Sequence, residues 1–270
     1  MTKLTVLPDA QAAARYAAHE VARVLREAGE RRGAAHLSLA GGTTPRRAYE
    51  LLAGLLEDWS AVELWYGDER CVGPDDPESN HQLVAGSLLA GISAGPPGLE
   101  PSEPGRLEQA REPAQGRAGG PREHRILGEL GPDAAARAYA TLLRERVPPA
   151  AEGSGAGRLP VLDLALLGLG EDGHTASLFP GHPEVQDDSG ELCLPVRDAP
   201  KPPPERVTLS LPVLRAARHC LLLATGAGKA PALAAVLAGP GGRGSDIPAS
   251  LLASERLHIV VDAAAAPAAA

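Results

Sequence analysis

Residues 161–174 read Val-Leu-Asp-Leu-Ala-Leu-Leu-Gly-Leu-Gly-Glu-Asp-Gly-His, a near-continuous apolar run that stops at a glycine-rich loop. A run that is apolar at almost every position is typical of a central strand in a parallel sheet, because helices cover both faces of such a strand. The stretch therefore predicts a buried strand over 161–167 and a loop at its carboxyl end. In open α/β sheets, ligands bind at that end of the strands.

Similar apolar segments recur along the chain and alternate with segments of helical periodicity. Strands are predicted at 36–40, 62–66, 206–210, 220–224 and 257–261, and helices at 10–31, 44–56, 79–90, 133–147 and 229–238. This alternation predicts a single α/β domain over residues 1–262, Rossmann-like, with a mostly parallel sheet and helices on both faces.

Two segments fall outside this pattern. Residues 91–122 are rich in Gly and Pro and poor in large aliphatic side chains, so we expect a disordered insertion within the domain. Residues 263–270 are a low-complexity, Ala-rich tail that we expect to fray.

The 270-residue chain has 26 basic and 34 acidic residues, which gives a formal net charge of −8. This balance disfavours nucleic acid and anionic membranes as partners, but it leaves room for a small anionic ligand in a locally basic pocket. Cys71, Cys193 and Cys220 match neither a disulfide framework nor a zinc spacing, which favours a reducing compartment. There is no signal peptide or membrane span in the sequence. We therefore expect a cytoplasmic protein without a bound metal.

The first of three unusual loops at predicted strand ends is Ala40-Gly-Gly-Thr-Thr-Pro45. Two glycines let backbone N–H groups converge, and the helix that follows points its positive end at the loop. Gly41, Gly42, Thr43 and Thr44 are therefore candidates for binding a phosphate. An ordinary turn between strand and helix is the alternative interpretation.

The second loop is Gly67-Asp-Glu-Arg70, which places three consecutive charges directly after an apolar strand. Such charges are costly to bury unless they face a polar cleft, so Asp68 and Arg70 are candidates for a site. A solvated surface turn is the alternative.

The third loop, Gly168–Pro180, formally matches the G-x-G-x-x-G pattern of dinucleotide-binding folds. We reject that function because Glu171 and Asp172 would lie against the pyrophosphate, and Pro180 would cut short the required helix. The Asp-Gly-His sequence that remains is suited to an acid/base histidine, His174, with a carboxylate beside it.

One further cation follows a predicted strand. The sequence Thr225-Gly-Ala-Gly-Lys-Ala230 resembles a phosphate loop but lacks its first glycine and its Ser/Thr, so it is not a Walker motif. Lys229 remains a candidate to contact a phosphate as a point charge.

These motifs together resemble the glucosamine-6-phosphate isomerase/6-phosphogluconolactonase family. The resemblance rests on Ala40–Pro45, on Gly67–Arg70 with Ser79-Asn80, and above all on Gly168–Gly181. It covers most of the chain apart from residues 91–122. It implies hydrolysis of 6-phospho-D-glucono-1,5-lactone, the second step of the oxidative pentose phosphate pathway, with no metal or organic cofactor. A monomer fits the family.

The resemblance also implies a role for each candidate residue. His174 is expected to be the general base that activates water, with Asp172 orienting it. Arg70 is expected either to bind the phosphate or to stabilise negative charge on the lactone oxygen. The expected substrate-binding residues are Gly41, Gly42, Thr43, Thr44, Asp68, Asn80, Gly170 and Lys229.

Two alternative functions stay open at this point. The related deaminases follow the Asp-Gly-His sequence with an Asn-Glu pair, whose carboxylate supports the histidine during ring opening. This chain has Leu178 and Phe179 at those positions, which disfavours isomerisation of a sugar. A non-catalytic phosphosugar sensor would be expected to lack His174 or Asp172, and both are present.

Overall fold

The computed structural model describes residues 2–94, 119–150, 159–239 and 247–267. The strands of this described part are β1 (Lys3–Leu7), β2 (Ala35–Leu39), β3 (Val62–Tyr66), β4 (Asp68–Arg70), β5 (Arg122–Glu123), β6 (Leu164–Gly168), β7 (Cys193–Val196), β8 (Arg206–Leu209), β9 (His219–Ala224) and β10 (Leu257–Asp262). Seven of them form a parallel sheet in the order β1-β10-β9-β6-β2-β3-β5. The predicted α/β fold with a mostly parallel sheet is confirmed.

The α-helices are α1 (Ala10–Arg32), α2 (Thr43–Leu52), α3 (Asn80–Val84), α4 (Ala90–Ala94), α5 (Pro132–Arg146), α6 (Leu211–Ala216) and α7 (Ala230–Ala238). A π-helical turn at Ala85–Leu89 joins α3 to α4. Short 3-10 turns occupy Gly128–Leu130, Pro183–Gln186, Ala227–Lys229 and Pro248–Leu252. None of the helices in these ranges is both long and apolar enough to span a bilayer.

Helix α1 shows how closely local sequence sets an element. Asp9 Oδ1 accepts a hydrogen bond from the Ala12 backbone N at 2.7 Å, which caps the first turn. Gly33 ends the helix in the left-handed conformation, with φ of 75°. The face between them buries small and branched residues against the sheet. The helix predicted at 10–31 is therefore confirmed almost to the residue.

The chain order places a crevice between β2 and β6. From β2 the chain moves outward through β3 to β5, and it then returns to β6 and continues the other way through β9 to β10. Neighbouring strands whose connections leave in opposite directions open a gap at their carboxyl ends. Every residue of β2 and the first four of β6 are buried, so both faces of the sheet are covered here.

A second, antiparallel sheet of order β4-β8-β7 lies beside this crevice and was not predicted. The segment at 206–210 was expected to be a strand, and it forms β8, but outside the parallel sheet. Strand β4 was expected to be a loop, because three charged residues carry little preference for a strand. The extended conformation of β4 is instead stabilised by antiparallel pairing with β8, which places Asp68 opposite Thr208 and Arg70 opposite Arg206.

The two atypical segments are partly ordered. Residues 91–94 belong to α4, and Arg122–Glu123 pairs with β3, so the described ends of the predicted insertion are structured. The expectation of disorder for residues 95–118 lies outside the described residues. The expected fraying of the tail is wrong for Ala265, which is fully buried and whose backbone N donates to Asp262 Oδ1 at 2.9 Å. Residues 268–270 lie outside the described residues.

Candidate active site

A cleft of about 210 Å³ opens at the carboxyl ends of β2 and β6. Most of the residues predicted to form a site line it: Gly41, Gly42, Thr43, Thr44, Asp68, Arg70, Gly170, His174 and Lys229. Asp172 and Asn80 do not line the cleft, but each contacts a residue that does. The structure thus brings together three loops that are far apart in the sequence.

His174 and Asp172 form a close pair in the loop after β6. The imidazole Nδ1 lies 2.5 Å from Asp172 Oδ1, and the backbone N of His174 donates to the same oxygen at 3.2 Å. Because an ionised carboxylate only accepts, Nδ1 carries the proton of this pair and Nε2 is left as an acceptor. An imidazole held in this tautomer can take a proton from water.

The electrostatics of this pair keep both groups in the form that a base requires. Burial lowers the pKa of His174, and the neighbouring charge and hydrogen bond of Asp172 oppose that effect without cancelling it. Burial raises the pKa of Asp172, but the charge and hydrogen bonds of His174 outweigh it, so this pKa lies below its usual value. Neutral imidazole beside ionised carboxylate is therefore the stable state at neutral pH.

Gly170 is required by the same pair for steric reasons. A Cβ at this position would lie 2.0 Å from His174 Nδ1 and 2.3 Å from Asp172 Oδ1. Any side chain here would push the pair apart, since real Cβ atoms do not approach other atoms so closely. The structure therefore gives Gly170 a definite role in addition to its place in the cleft wall.

Phe179 packs against the catalytic candidate. Its ring centroid lies 4.7 Å from that of His174, and its side chain is fully buried. Position 179, where the related deaminases are expected to carry a carboxylate, is therefore in contact with His174, and in this protein it holds an apolar ring.

The loop after β2 presents unpaired backbone donors to the cleft. Within the described part of the chain, the backbone N–H groups of Gly41 and Gly42 make no hydrogen bond. Gly42 is the N-cap of α2 and no side chain caps that helix, so its first-turn N–H groups also face outward. A Cβ on Gly41 would lie 1.8 Å from Asn80 Oδ1, which explains why a glycine is needed there.

Asp68 is a buried carboxylate held by side chains from two other segments. Asn80 Nδ2 donates to its backbone O at 2.8 Å and to its Oδ1 at 3.2 Å, and Ser177 Oγ donates to Oδ2 at 2.5 Å. Asn80 was expected to bind substrate, but it contacts the site through its hydrogen bonds to Asp68 and its packing against Gly41. Ser177 was not predicted, although it lies within the longest motif.

Glu69 fixes the loop that carries Arg70. Its carboxylate accepts from the backbone N of Arg70 at 2.8 Å, Asn80 at 2.7 Å and His81 at 2.8 Å, and from Ser79 Oγ at 3.0 Å. Burial nevertheless raises the pKa of Glu69. The three consecutive charged residues therefore have different roles. Asp68 and Arg70 line the cleft, whereas Glu69 holds the backbone of the loop behind it.

Sequence reasoning missed two cations in the wall of the cleft, Lys201 and Arg206. The Arg206 guanidinium donates to the backbone O of Pro203 at 3.0 Å and of Lys201 at 2.9 Å, so it braces the turn that presents Lys201. Burial lowers the pKa of Arg206, against the opposing charge of Asp68. The sequence signal for Arg206 was its place as the one charged residue of the predicted strand at 206–210.

Lys229 lies at the end of the cleft formed by the turn after β9. Burial lowers the pKa of its ammonium group, and the nearby carboxylate of Glu171 opposes this. The backbone N of Gly226, in the same turn, is held by Asp262 Oδ1 at 3.0 Å. The described lining of the cleft thus contains four cationic side chains, Arg70, Lys201, Arg206 and Lys229, together with the positive end of α2.

Comparison with known proteins shows the family to which the chain belongs. The family described as glucosamine-6-phosphate isomerases/6-phosphogluconolactonase matches residues 8–261. The chain belongs to this family. Within it, the chain is 35% identical over 243 residues to a 6-phosphogluconolactonase of Streptomyces coelicolor, and the alignment covers 88% of this chain and 84% of that relative.

Solved structures of the family share the fold. A 6-phosphogluconolactonase from Shewanella baltica superposes with a TM-score of 0.74 at 26% identity, covering 97% of each chain. A monomeric glucosamine-6-phosphate deaminase superposes with a TM-score of 0.69 at 21% identity over 98% of each chain. The second likeness shows the fold alone, so the choice between the two activities of the family depends on the residues of the site.

Proposed function

We propose that this protein hydrolyses 6-phospho-D-glucono-1,5-lactone to 6-phospho-D-gluconate, as the second step of the oxidative pentose phosphate pathway. The observation that carries the proposal is the His174–Asp172 pair, which faces a small cleft lined by several cationic side chains. The lactonase relative from Streptomyces coelicolor supports the choice of substrate.

In the proposed reaction, His174 Nε2 removes a proton from a water molecule as the water oxygen attacks the lactone carbonyl carbon. Asp172 holds Nδ1–H and stabilises the imidazolium that forms. The tetrahedral intermediate then collapses, the bond from the carbonyl carbon to the ring oxygen breaks, and the imidazolium returns the proton to that oxygen. The products are the open-chain acid and a neutral His174.

The substrate has two anionic centres in this reaction, and the cationic groups that line the cleft suit both of them. The free N–H groups of Gly41 and Gly42, the start of α2 with Thr43 and Thr44, and Lys229 would hold the 6-phosphate. Arg70 and Lys201 would stabilise the negative charge that develops on the lactone oxygen. Asp68 would bind sugar hydroxyl groups.

A rival activity on the same fold is disfavoured at the position of Phe179. Ring opening and proton transfer between sugar carbons would need a second carboxylate, in addition to Asp172, at the position of Phe179, and a buried aromatic ring lies there 4.7 Å from the imidazole instead. We also propose that the protein acts as a cytoplasmic monomer and needs no metal or organic cofactor.

The test is a lactonase assay in which the lactone is made in situ from glucose 6-phosphate and the spontaneous rate is subtracted. We expect His174→Ala to reduce kcat by about 10²- to 10⁴-fold while the affinity for 6-phosphogluconate stays nearly unchanged. His19→Ala, an exposed histidine on α1, is the matched control and should keep the full rate.

Three outcomes would overturn the proposal. Near-normal turnover by His174→Ala would show that His174 is not the general base. Binding of the lactone without turnover by the wild-type chain, or ammonia release from glucosamine 6-phosphate, would replace the lactonase by a sensor or a deaminase.

A further inference from the structure

A second cavity, of about 760 Å³, lies at the opposite end of the parallel sheet from the active-site cleft. Its lining includes His219, the first residue of β9, together with residues within four positions of the starts of β2, β6 and β10. Because these strands are parallel, their amino ends share one edge of the sheet and their carboxyl ends share the other. A ligand here would not meet the groups that surround His174.

Five arginines line this cavity: Arg31, Arg32, Arg215, Arg218 and Arg256. The one acidic residue among the described lining residues is Glu27, and it already pairs with Arg23 at 2.6 Å. Positive charge is therefore concentrated at one place in a chain whose formal net charge is −8.

Only part of this charge is neutralised by the protein. Buried Asp163 pairs through Oδ1 with Arg32 at 2.7 Å and with Arg218 at 3.3 Å. In the described ranges, no carboxylate forms an ion pair with the other three arginines. Their guanidinium groups are exposed and keep most of their donors available, although Arg256 gives one hydrogen bond to the backbone O of Ala216 at 3.4 Å.

Helix ends do not account for the whole cluster. Arg31 and Arg32 lie in the last turn of α1, and Arg215 lies in the last turn of α6, where cations complement the helix dipole. Arg218 and Arg256 lie outside any helix. The five guanidinium groups around one cavity repel one another, and a bound anion would reduce that repulsion.

We propose that this cavity, the arginine groove, binds a small polyphosphate anion. Guanidinium groups match phosphate oxygens with two parallel hydrogen bonds, and several of them spread over one cavity suit linked phosphates better than a single charge. No Phe, Tyr or Trp occurs among the described residues of the lining, so the groove offers no platform for stacking a nucleobase. The phosphate chain is therefore the part of the ligand that is recognised.

The experiment is isothermal titration of the full chain with inorganic pyrophosphate, at low salt and again with added salt. We expect one site that weakens as salt rises, and an affinity at least about tenfold lower in the Arg215→Glu/Arg256→Glu variant. The matched control is Arg15→Glu/Arg137→Glu, which changes the net charge equally at two exposed arginines outside the groove and should bind within about threefold of wild type.

A conservative variant separates geometry from charge. Arg215→Lys/Arg256→Lys keeps the charge but loses the two-pronged donors, so its affinity should fall between those of the wild type and the charge reversal. Far-ultraviolet circular dichroism verifies that each variant is folded.

Three results would overturn the proposal. These are absence of a pyrophosphate site in the wild type, equal weakening in the control, and displacement of pyrophosphate by 6-phosphogluconate, which would place the probe in the active-site cleft. Groove-dependent binding of polyglutamate without pyrophosphate binding would assign the surface to an acidic protein segment instead. Lactonase activity does not enter this test, so its failure and that of the proposed function are distinguishable.

Discussion

At the scale of single residues, the state of His174 is set by two opposing effects. Burial disfavours the imidazolium, and Asp172 favours it, with burial the stronger. The result is a base that is unprotonated at neutral pH yet stays oriented by a carboxylate at 2.5 Å. A general base is most effective when its pKa lies near the working pH, and Asp172 limits how far burial lowers the pKa of His174.

Replacing Asp172 should separate the two effects. In Asp172→Asn the charge that raises the pKa of His174 is lost, so the acid limb of kcat/KM should move to lower pH than in the wild type. The maximal rate should fall by about 10²-fold or more, because an amide does not fix the Nδ1–H tautomer.

The measurement is the pH dependence of kcat/KM between pH 4.5 and 8. Asp188→Asn, at an exposed carboxylate in the loop before β7, is the control and should reproduce the wild-type profile. An acid limb that moves to higher pH in Asp172→Asn would contradict this account of the electrostatics.

At the scale of elements, the site depends on contacts between segments that are remote in sequence. The loop after β6 reaches β4 through Ser177 and Asp68, and α3 reaches the loop after β2 through Asn80 and Gly41. Each of these side chains is buried, so each contact excludes water that would otherwise satisfy the polar atoms.

Ser177→Ala should therefore weaken both the fold and the site. It removes the hydroxyl that donates to Asp68 Oδ2 and leaves a buried carboxylate oxygen without that partner, at a cost of about 1–3 kcal/mol in the free energy of unfolding. KM should rise because Asp68 loses one of the two side chains that hold its carboxylate in the cleft wall, and only Asn80 remains among the described residues.

Urea denaturation and steady-state kinetics measure the two effects. Ser60→Ala is the matched control, since Ser60 Oγ also donates to an aspartate, Asp58 Oδ2, but in an exposed turn. Equal changes in the two variants would show that burial does not strengthen the Ser177 contact.

At the scale of the whole molecule, histidines whose pKa values are lowered by desolvation make stability depend on pH. Burial lowers the pKa of His36, whose Nδ1 lies 3.2 Å from the indole Nε1 of Trp65, a donor that requires an unprotonated acceptor. Burial also lowers the pKa values of His174, His219 and His258. Below pH 6.5 the unfolded chain therefore binds more protons than the folded chain, and the stability that these groups contribute is lost as pH falls.

We accordingly expect the free energy of unfolding to decrease from pH 7 to pH 5, and His36→Gln to make that decrease shallower. Urea denaturation at a series of pH values tests this. His19→Gln, at an exposed position, should leave the slope unchanged. A slope that His36→Gln leaves as steep as in the wild type would exclude His36 as a source of the acid sensitivity.

Much of the α/β architecture could be predicted because its signals are local. The apolar run at 161–167, the Asp9 cap of α1 and the glycine-rich loops depend on hydrophobic periodicity and backbone preference, which act over a few residues. For the same reason the sequence alone located His174, Asp172 and the loop after β2. These assignments needed no knowledge of which strands are neighbours.

Only the tertiary structure decided the parts that depend on long-range pairing. Strand β4 is extended because β8 pairs with it, Arg206 presents Lys201 because it is buried beneath that turn, and Ala265 is ordered by Asp262. The arginine groove likewise exists only because parallel strands bring five separate positions to one edge of the sheet. The physical reason is the same in each case. A local pattern encodes the conformation of a segment, whereas the partner that satisfies its polar groups or shares its charge is chosen by the packing of the whole chain.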